Sequence, residues 1–168
     1  ANSNAANVTA ASLLVASAAS VGSNNNRLDA VLANAGNIRF NVAGDAYAAS
    51  TEDLPLSLSD VGGSLYVSSA NSLTVSNHVK AVDRIDLDGK TVELTSVSAV
   101  FTSGALSVID IRSGADSDLD ILGTIIAGGA GGTSGVVWSG NNASVYLGAG
   151  QQVYVDGAVF ASDLLEVV

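Results

Sequence analysis

The chain has 168 residues, 48% of them apolar but only 5% aromatic, with 13% charged and a net charge of −10. That length suits one domain, and its core must be built from Val, Leu, Ile and Ala. The acidic balance argues against nucleic acid or an anionic lipid surface as partner, because both require local positive charge.

The first segment, "NAANVTAASLLVASAAS", admits two readings. Val8, Ala11, Val15, Ala18 and Ala19 fall near one helical face, while Leu13, Val15 and Val21 fit strand alternation. Its many Ser, Thr and Asn residues weaken a helix, so strand is the prediction. From Asn37 onward strand signals dominate: "SLYVSS", "SLTVSN", "RIDLDG", "TVELTS", "LSVIDIRSG", "LDILG", "SVYLG" and "QQVYVDG". Each is a short alternating run rich in Val, Ile, Leu and Thr, closed by Gly, Asn, Asp or Ser.

The even spacing of these strands points to a repeat. Leu65, Ile85, Leu106, Ile126, Val145 and Leu164 form one series, and Val79, Val100, Leu119, Val137 and Val159 a second. A middle slot holds Leu73 and Val75, then Val92 and Leu94, and later Val153 and Val155. It fails around "AGGAGGTSG", Ala127 to Gly135, which is predicted as a loop leaving one corner. A period of about 20 residues with three short strands per coil reads as an all-β fold, a parallel β-helix or β-solenoid. Some eight coils at about 4.8 Å each make a rod near 40 Å long. Tight corners account for the Gly, Asn and Ser content, and a single proline, Pro55, suits continuous ladders.

"SVYLGAGQQVYVDGAVFAS", Ser144 to Ser162, resembles one coil of the filamentous-haemagglutinin-like repeats of giant bacterial extracellular and surface proteins. "SLLVASAASVGSNNNRLDAV" and "GGSLYVSSANSLTVSN" resemble the same material in more degenerate form. The resemblance covers most of the chain and rests on pattern rather than on an invariant motif. It implies a right-handed β-helix in an adhesin or extracellular fibre. An Asn-Pro-Asn secretion motif and an Arg-Gly-Asp tripeptide are both missing from the sequence, so route and receptor do not carry over.

Candidate chemistry is sparse. Asp116, Asp118 and Asp120 alternate in "SGADSDLDILG" and are the candidate Ca²⁺ ligands, the competing reading being a solvated acidic strand face. No other cofactor is expected. Asp83, Asp86 and Asp88 form a weaker group beside Arg84 and Lys90. Asp86 or Asp88 stacked one coil below Asp110, with Arg84 and Arg112 beside them, gives the carboxylate pair that glycoside hydrolysis requires. The same arrangement is what a stable external charge ladder wants, and the expectation is no enzyme. His78, the sole histidine, is predicted as a solvated corner residue, and Trp138 as a packing contact. Asn7-Val8-Thr9 and Asn142-Ala143-Ser144 match the N-glycosylation pattern.

The chain contains neither Cys nor Met. Lack of Cys excludes disulfides and thiolate metal sites and suits an extracellular or bacterial cell-surface location. Lack of Met suggests that residues 1–168 are one β-helical domain excerpted or processed from a longer chain. No apolar run reaches transmembrane length. The final strand, with Leu164, Leu165, Val167 and Val168, is predicted to self-associate with another coil, from adjacent repeats or a second copy. Two functions follow. One is a structural or adhesive module stacking end to end in a fibre; the alternative is a β-helix that binds or cleaves polysaccharide, cell-surface polysaccharide being the candidate partner.

Overall fold

The computed structural model describes residues 8–33, 36–132, 135–138 and 142–168. Among them there is no helix, and hence none long and apolar enough to cross a membrane. The chain winds as a parallel β-solenoid of about seven turns, one fewer than the repeat count predicts. The N-terminal segment is strand: β1 (Val8–Ala10) and β2 (Leu13–Ser17). Val8 pairs with Ala30 and Leu13 with Ile38, each in parallel register.

Each full turn contributes to three faces. The first face stacks β1, β3 (Leu28–Leu32), β5 (Ala46–Ser50), the start of β8 (Ser64–Val75), the start of β10 (Arg84–Leu94), β12 (Val108–Ser113), β17 (Ser144–Gly148) and β20 (Leu165–Val167). The second stacks β2, β4 (Ile38–Val42), β6 (Leu54–Leu56), the ends of β8 and β10, β13 (Leu119–Ile121) and β18 (Val153–Val155). The third stacks β7 (Ser59–Val61), β9 (His78–Ala81), β11 (Ala99–Thr102), β14 (Thr124–Ile126) and β19 (Ala158–Phe160). Near the N-terminus the second and third faces merge, because β4 pairs with β6 through Ile38 and with β7 through Asn41 and Val42. Pro55 sits at the centre of β6, where pairing to β4 is reduced to the Ile38–Leu56 contact, so its missing N–H interrupts a ladder that is already short.

Alternation drives the winding. In β10 the inward residues Ile85, Leu87, Val92 and Leu94 are buried, while Asp86 and Glu93 point outward. In-register parallel pairing then stacks like on like. Leu65, Ile85, Ile109 and Val145 form one aliphatic column; Val67, Leu87, Ile111 and Leu147 form the next. The interior is therefore a continuous rod whose large side chains are aliphatic apart from Phe40.

The column differs from the predicted series at three positions, of which the last is Leu164, since Leu165 is the residue that pairs with Val145. Leu106 is 77% exposed at a corner, and Ile109 takes the inward place. Ile126 lies on the third face opposite Phe101 and Phe160. Likewise Val79 and Val100 continue into Ile125 and Val159, while Leu119 belongs to the second face. The cause is uneven corner length: extra residues before β12 and an insertion before β17 shift the spacing without disturbing the inward ladder. The middle slot holds the predicted pairs, but it does not fail where expected, because Leu119 and Ile121 fill that turn.

The "AGGAGGTSG" segment leaves the solenoid as expected, but as a hairpin in which β15 (Gly129–Gly132) pairs antiparallel with β16 (Gly135–Trp138). The exit is tied down by buried Thr102, whose hydroxyl meets Ser107 Oγ at 2.7 Å and accepts the Gly128 N–H at 3.3 Å. Gly128 has φ +73°, and a Cβ there would press on Ala143, so both conformation and space require glycine.

Candidate functional site

The outward positions of the first face carry the densest chemistry. One ladder reads Tyr47, Tyr66, Asp86, Asp110, Tyr146 and Glu166, each residue in register with the next. A parallel column places Asp88 opposite Arg112, and Arg84 stands two residues before Asp86. Asp86 and Asp110 thus stack as like charges one turn apart, an arrangement that is unfavourable unless compensated.

The two arginines compensate it. Arg112 grips Asp110 as a fork, Nε to Oδ1 at 2.8 Å and Nη2 to Oδ2 at 2.9 Å. Arg84 Nη2 bridges the turns, donating to Asp110 Oδ2 at 3.0 Å and to Asp86 Oδ2 at 3.2 Å. The Asp110 side chain is only 8% exposed, and both of its oxygens are engaged. Burial pushes the Asp86 carboxyl above the usual carboxylate range; Arg84 pulls against this shift and Asp110 adds to it. Hydrogen bonding to Asp110 raises Arg112 further above its already high value.

Beside these charges lies an aromatic pair. Tyr47 and Tyr66 stack with ring centroids 4.5 Å apart and planes within 6°, an outcome of strands spaced about 4.8 Å apart with tyrosines in register. Burial raises the Tyr47 hydroxyl, with Tyr66 and Asp45 adding to the shift. Arg27, just before β3, reaches over this face, donating from Nη1 to Ser68 Oγ at 2.8 Å and from Nη2 to Asn24 Oδ1 at 3.3 Å.

Of these side chains, Arg27, Tyr66, Arg84, Asp86, Asp110 and Arg112 line a recess of about 330 Å³. A second recess, about 520 Å³, continues past Tyr146 to Glu166. The two share Asp110 and Arg112, so the hollow runs along the solenoid axis.

The structure brings Asp86, Asp110, Arg84 and Arg112 together as the coil spacing predicts. Asp88 is exposed beside Arg112 in register. Sequence reasoning missed Tyr47, Tyr66, Tyr146 and Arg27. The tyrosines carried a usable signal, since each lies one residue after an inward position of the same column as Asp86 and Asp110. Arg27 carried none, because its reach depends on the path of the chain before β3.

The three candidate Ca²⁺ ligands have separate surroundings. Asp116 is exposed on a turn. Asp118 Oδ1 accepts the Gln152 N–H of the next turn at 3.1 Å, and Asp120 points outward in register with Glu93 and Tyr154. Among the described residues no group of three or more His, Cys, Asp or Glu side chains is arranged to hold a metal ion. The Asp118 contact belongs to a wider pattern. Asp45 Oδ1 accepts the Ser64 N–H at 2.8 Å and Asp53 Oδ1 the Ser72 N–H at 3.2 Å, so corner aspartates bond the backbone of the following turn.

At the C-terminal edge, Leu165 and Val167 hold inward positions opposite buried Val145 and Leu147, yet are 48% and 54% exposed. Leu164 and Val168 flank them, bonding to Val145 and Leu147 through the backbone, and are also exposed. His78 is exposed at the start of β9, as expected, and Asn142 is exposed before β17. Asn7 and the Trp138 side chain lie outside the described residues. Comparison with family models, curated proteins and solved structures finds no match for this chain.

Proposed function

We propose that this chain is a structural and adhesive segment of an extended extracellular bacterial fibre or surface adhesin, stacking through coils of its own kind. The observation that carries the reading is the unbroken in-register stack of buried columns, Leu65, Ile85, Ile109 and Val145 beside Val67, Leu87, Ile111 and Leu147, which any further coil of the same kind extends. A further turn, from the same chain or from a second copy, removes Leu165 and Val167 from water. It contributes about 1 kcal/mol for each half-exposed side chain covered, and it satisfies the outer backbone groups of β18, β19 and β20. The resemblance to filamentous-haemagglutinin-like repeats points the same way, as does the aliphatic interior running through the whole stack.

Sedimentation across a concentration series tests the stacking. The chain is expected to form end-to-end species, and Leu165→Lys with Val167→Lys to stay monomeric with an unchanged far-UV spectrum. A monomer at every concentration, together with native material that has no further turn beyond β20, overturns the reading.

The competing reading, polysaccharide cleavage, draws support from the Asp86–Asp110 pair and the raised Asp86 carboxyl. Against it, Asp110 has both oxygens tied to arginines, which leaves neither placed to reach a substrate. A binding role uses the same groups as they stand.

A further inference from the structure

Three of the chain's six cationic side chains, Arg27, Arg84 and Arg112, converge on the recess of the first face. With a net charge of −10 spread over the whole chain, that gathering is a local feature. We propose that the axial hollow of the first face is a binding site for an extended, uncharged glycan.

Charge matching selects the ligand class. The three arginines share the recess with Asp86, Asp88 and Asp110. A polyanion meets the three carboxylates and a polycation the three guanidinium groups. A polyhydroxylated neutral chain uses both, because each hydroxyl donates one hydrogen bond and accepts others.

The donors are already in place, and with both Asp110 oxygens engaged the acceptors left are Asp88 and Oδ1 of Asp86. Arg84 and Arg112 are fixed by their carboxylates through Nε and Nη2, which leaves their Nη1 groups outside those pairs. Arg27 is fixed by Ser68 and Asn24. Groups held before binding lose little freedom on binding, which raises the affinity that a shallow surface can reach.

An apolar surface is present as well. Tyr66 borders the recess with its ring braced by the Tyr47 stack, and Tyr146 borders the continuation beyond Asp110. An amphipathic ring of this kind suits a ligand that is part apolar and part wet. Tyr66 and Tyr146 are three turns apart, roughly 14 Å at the strand spacing. One turn advances about as far as one sugar of an extended glycan, so successive sugars meet successive positions of one ladder.

The inference gives the adhesive side of the proposed function a ligand class, and it is independent of stacking. Loss of glycan binding with normal end-to-end assembly sinks this inference alone. Binding by a monomer that never assembles sinks the fibre reading alone.

The test titrates the intact chain with neutral hexasaccharides (cello-, laminari-, manno- and malto-hexaose) and with hexagalacturonate. NMR of the arginine Nε–H and tyrosine ring signals reads the result. At least one neutral series is expected to shift Arg84, Arg112 and Tyr66 saturably. Arg112→Ala and Tyr66→Ala weaken it roughly tenfold, the loss of one strong contact. Tyr66→Phe, which keeps the ring, binds within a few-fold of the parent, and Glu93→Ala on the second face leaves binding unchanged. Three outcomes overturn the proposal: no shift at these residues with any neutral probe at millimolar concentration, tighter binding of hexagalacturonate than of every neutral probe, or unaltered binding by both alanine variants with native spectra.

Discussion

Asp86 and Asp110 occupy the same ladder one turn apart but do different work. Asp110 is buried beneath two guanidinium groups, whereas Asp86 is partly exposed and shares one oxygen with Arg84. Replacing Asp110 by Asn removes the charge that Arg112 and Arg84 are arranged around. It is expected to lower stability by about 1–3 kcal/mol, discounted for the 64% exposure of the Arg112 side chain. Asp86→Asn removes the like-charge contact and is expected to be neutral or stabilising near pH 7. Equilibrium denaturation of both variants checks the contrast.

The sign of the pH effect follows from the raised Asp86 carboxyl. Where the folded state holds a proton more tightly than the unfolded one, stability falls as pH rises from the unfolded value, about 4, through the folded value. The parent should therefore lose stability relative to Asp86→Asn as pH rises across that window, and the difference should level off above it. Melting temperatures of the two proteins across mildly acidic pH check this. A difference that grows in the opposite direction contradicts the burial argument.

At the scale of elements, the inward columns explain both what was legible in the sequence and what was not. Second-face strands keep a constant pattern of two aliphatic residues flanking an outward one: Leu73 and Val75, Val92 and Leu94, Val153 and Val155. That slot was readable because a column accepts only residues facing the rod. Leu106 and Ile126 misled because an aliphatic residue at a corner, or facing outward on the third face, looks the same in sequence as one facing in. Corner lengths vary freely, since loop residues are not bound by the ladder, so a fixed period drifts out of register. The charge cluster was legible for the same reason as the second face. The Tyr47–Tyr66 stack became visible only once the columns were fixed. Leu87→Ala, in the middle of a column, is expected to cost about 2–5 kcal/mol, measured by chemical denaturation. Val167→Ala on the isolated chain is expected to cost less than about 1 kcal/mol, because half of that side chain is already in water.

At the scale of the molecule, those two substitutions bear on assembly. When another turn covers the end, Val167 becomes a column residue, and the cost of Val167→Ala should rise toward that of Leu87→Ala as concentration favours end-to-end species. Calcium is expected to play no part in that stability. Asp118 is engaged with the next turn's backbone, a contact that does not depend on an ion, so a chelator should leave the melting curve unmoved. A shift to lower temperature on chelation contradicts this and supports Asp116, Asp118 and Asp120 as ligands.

Stacking of solenoid turns beyond β20 is the central claim, and direct imaging of the native material by electron cryomicroscopy tests it most directly. The account predicts rods in which turns spaced about 4.8 Å apart continue without a break past Leu165–Val167, through the same chain or a second copy. Isolated particles that end at that turn, with Leu165 and Val167 left open to water, contradict it.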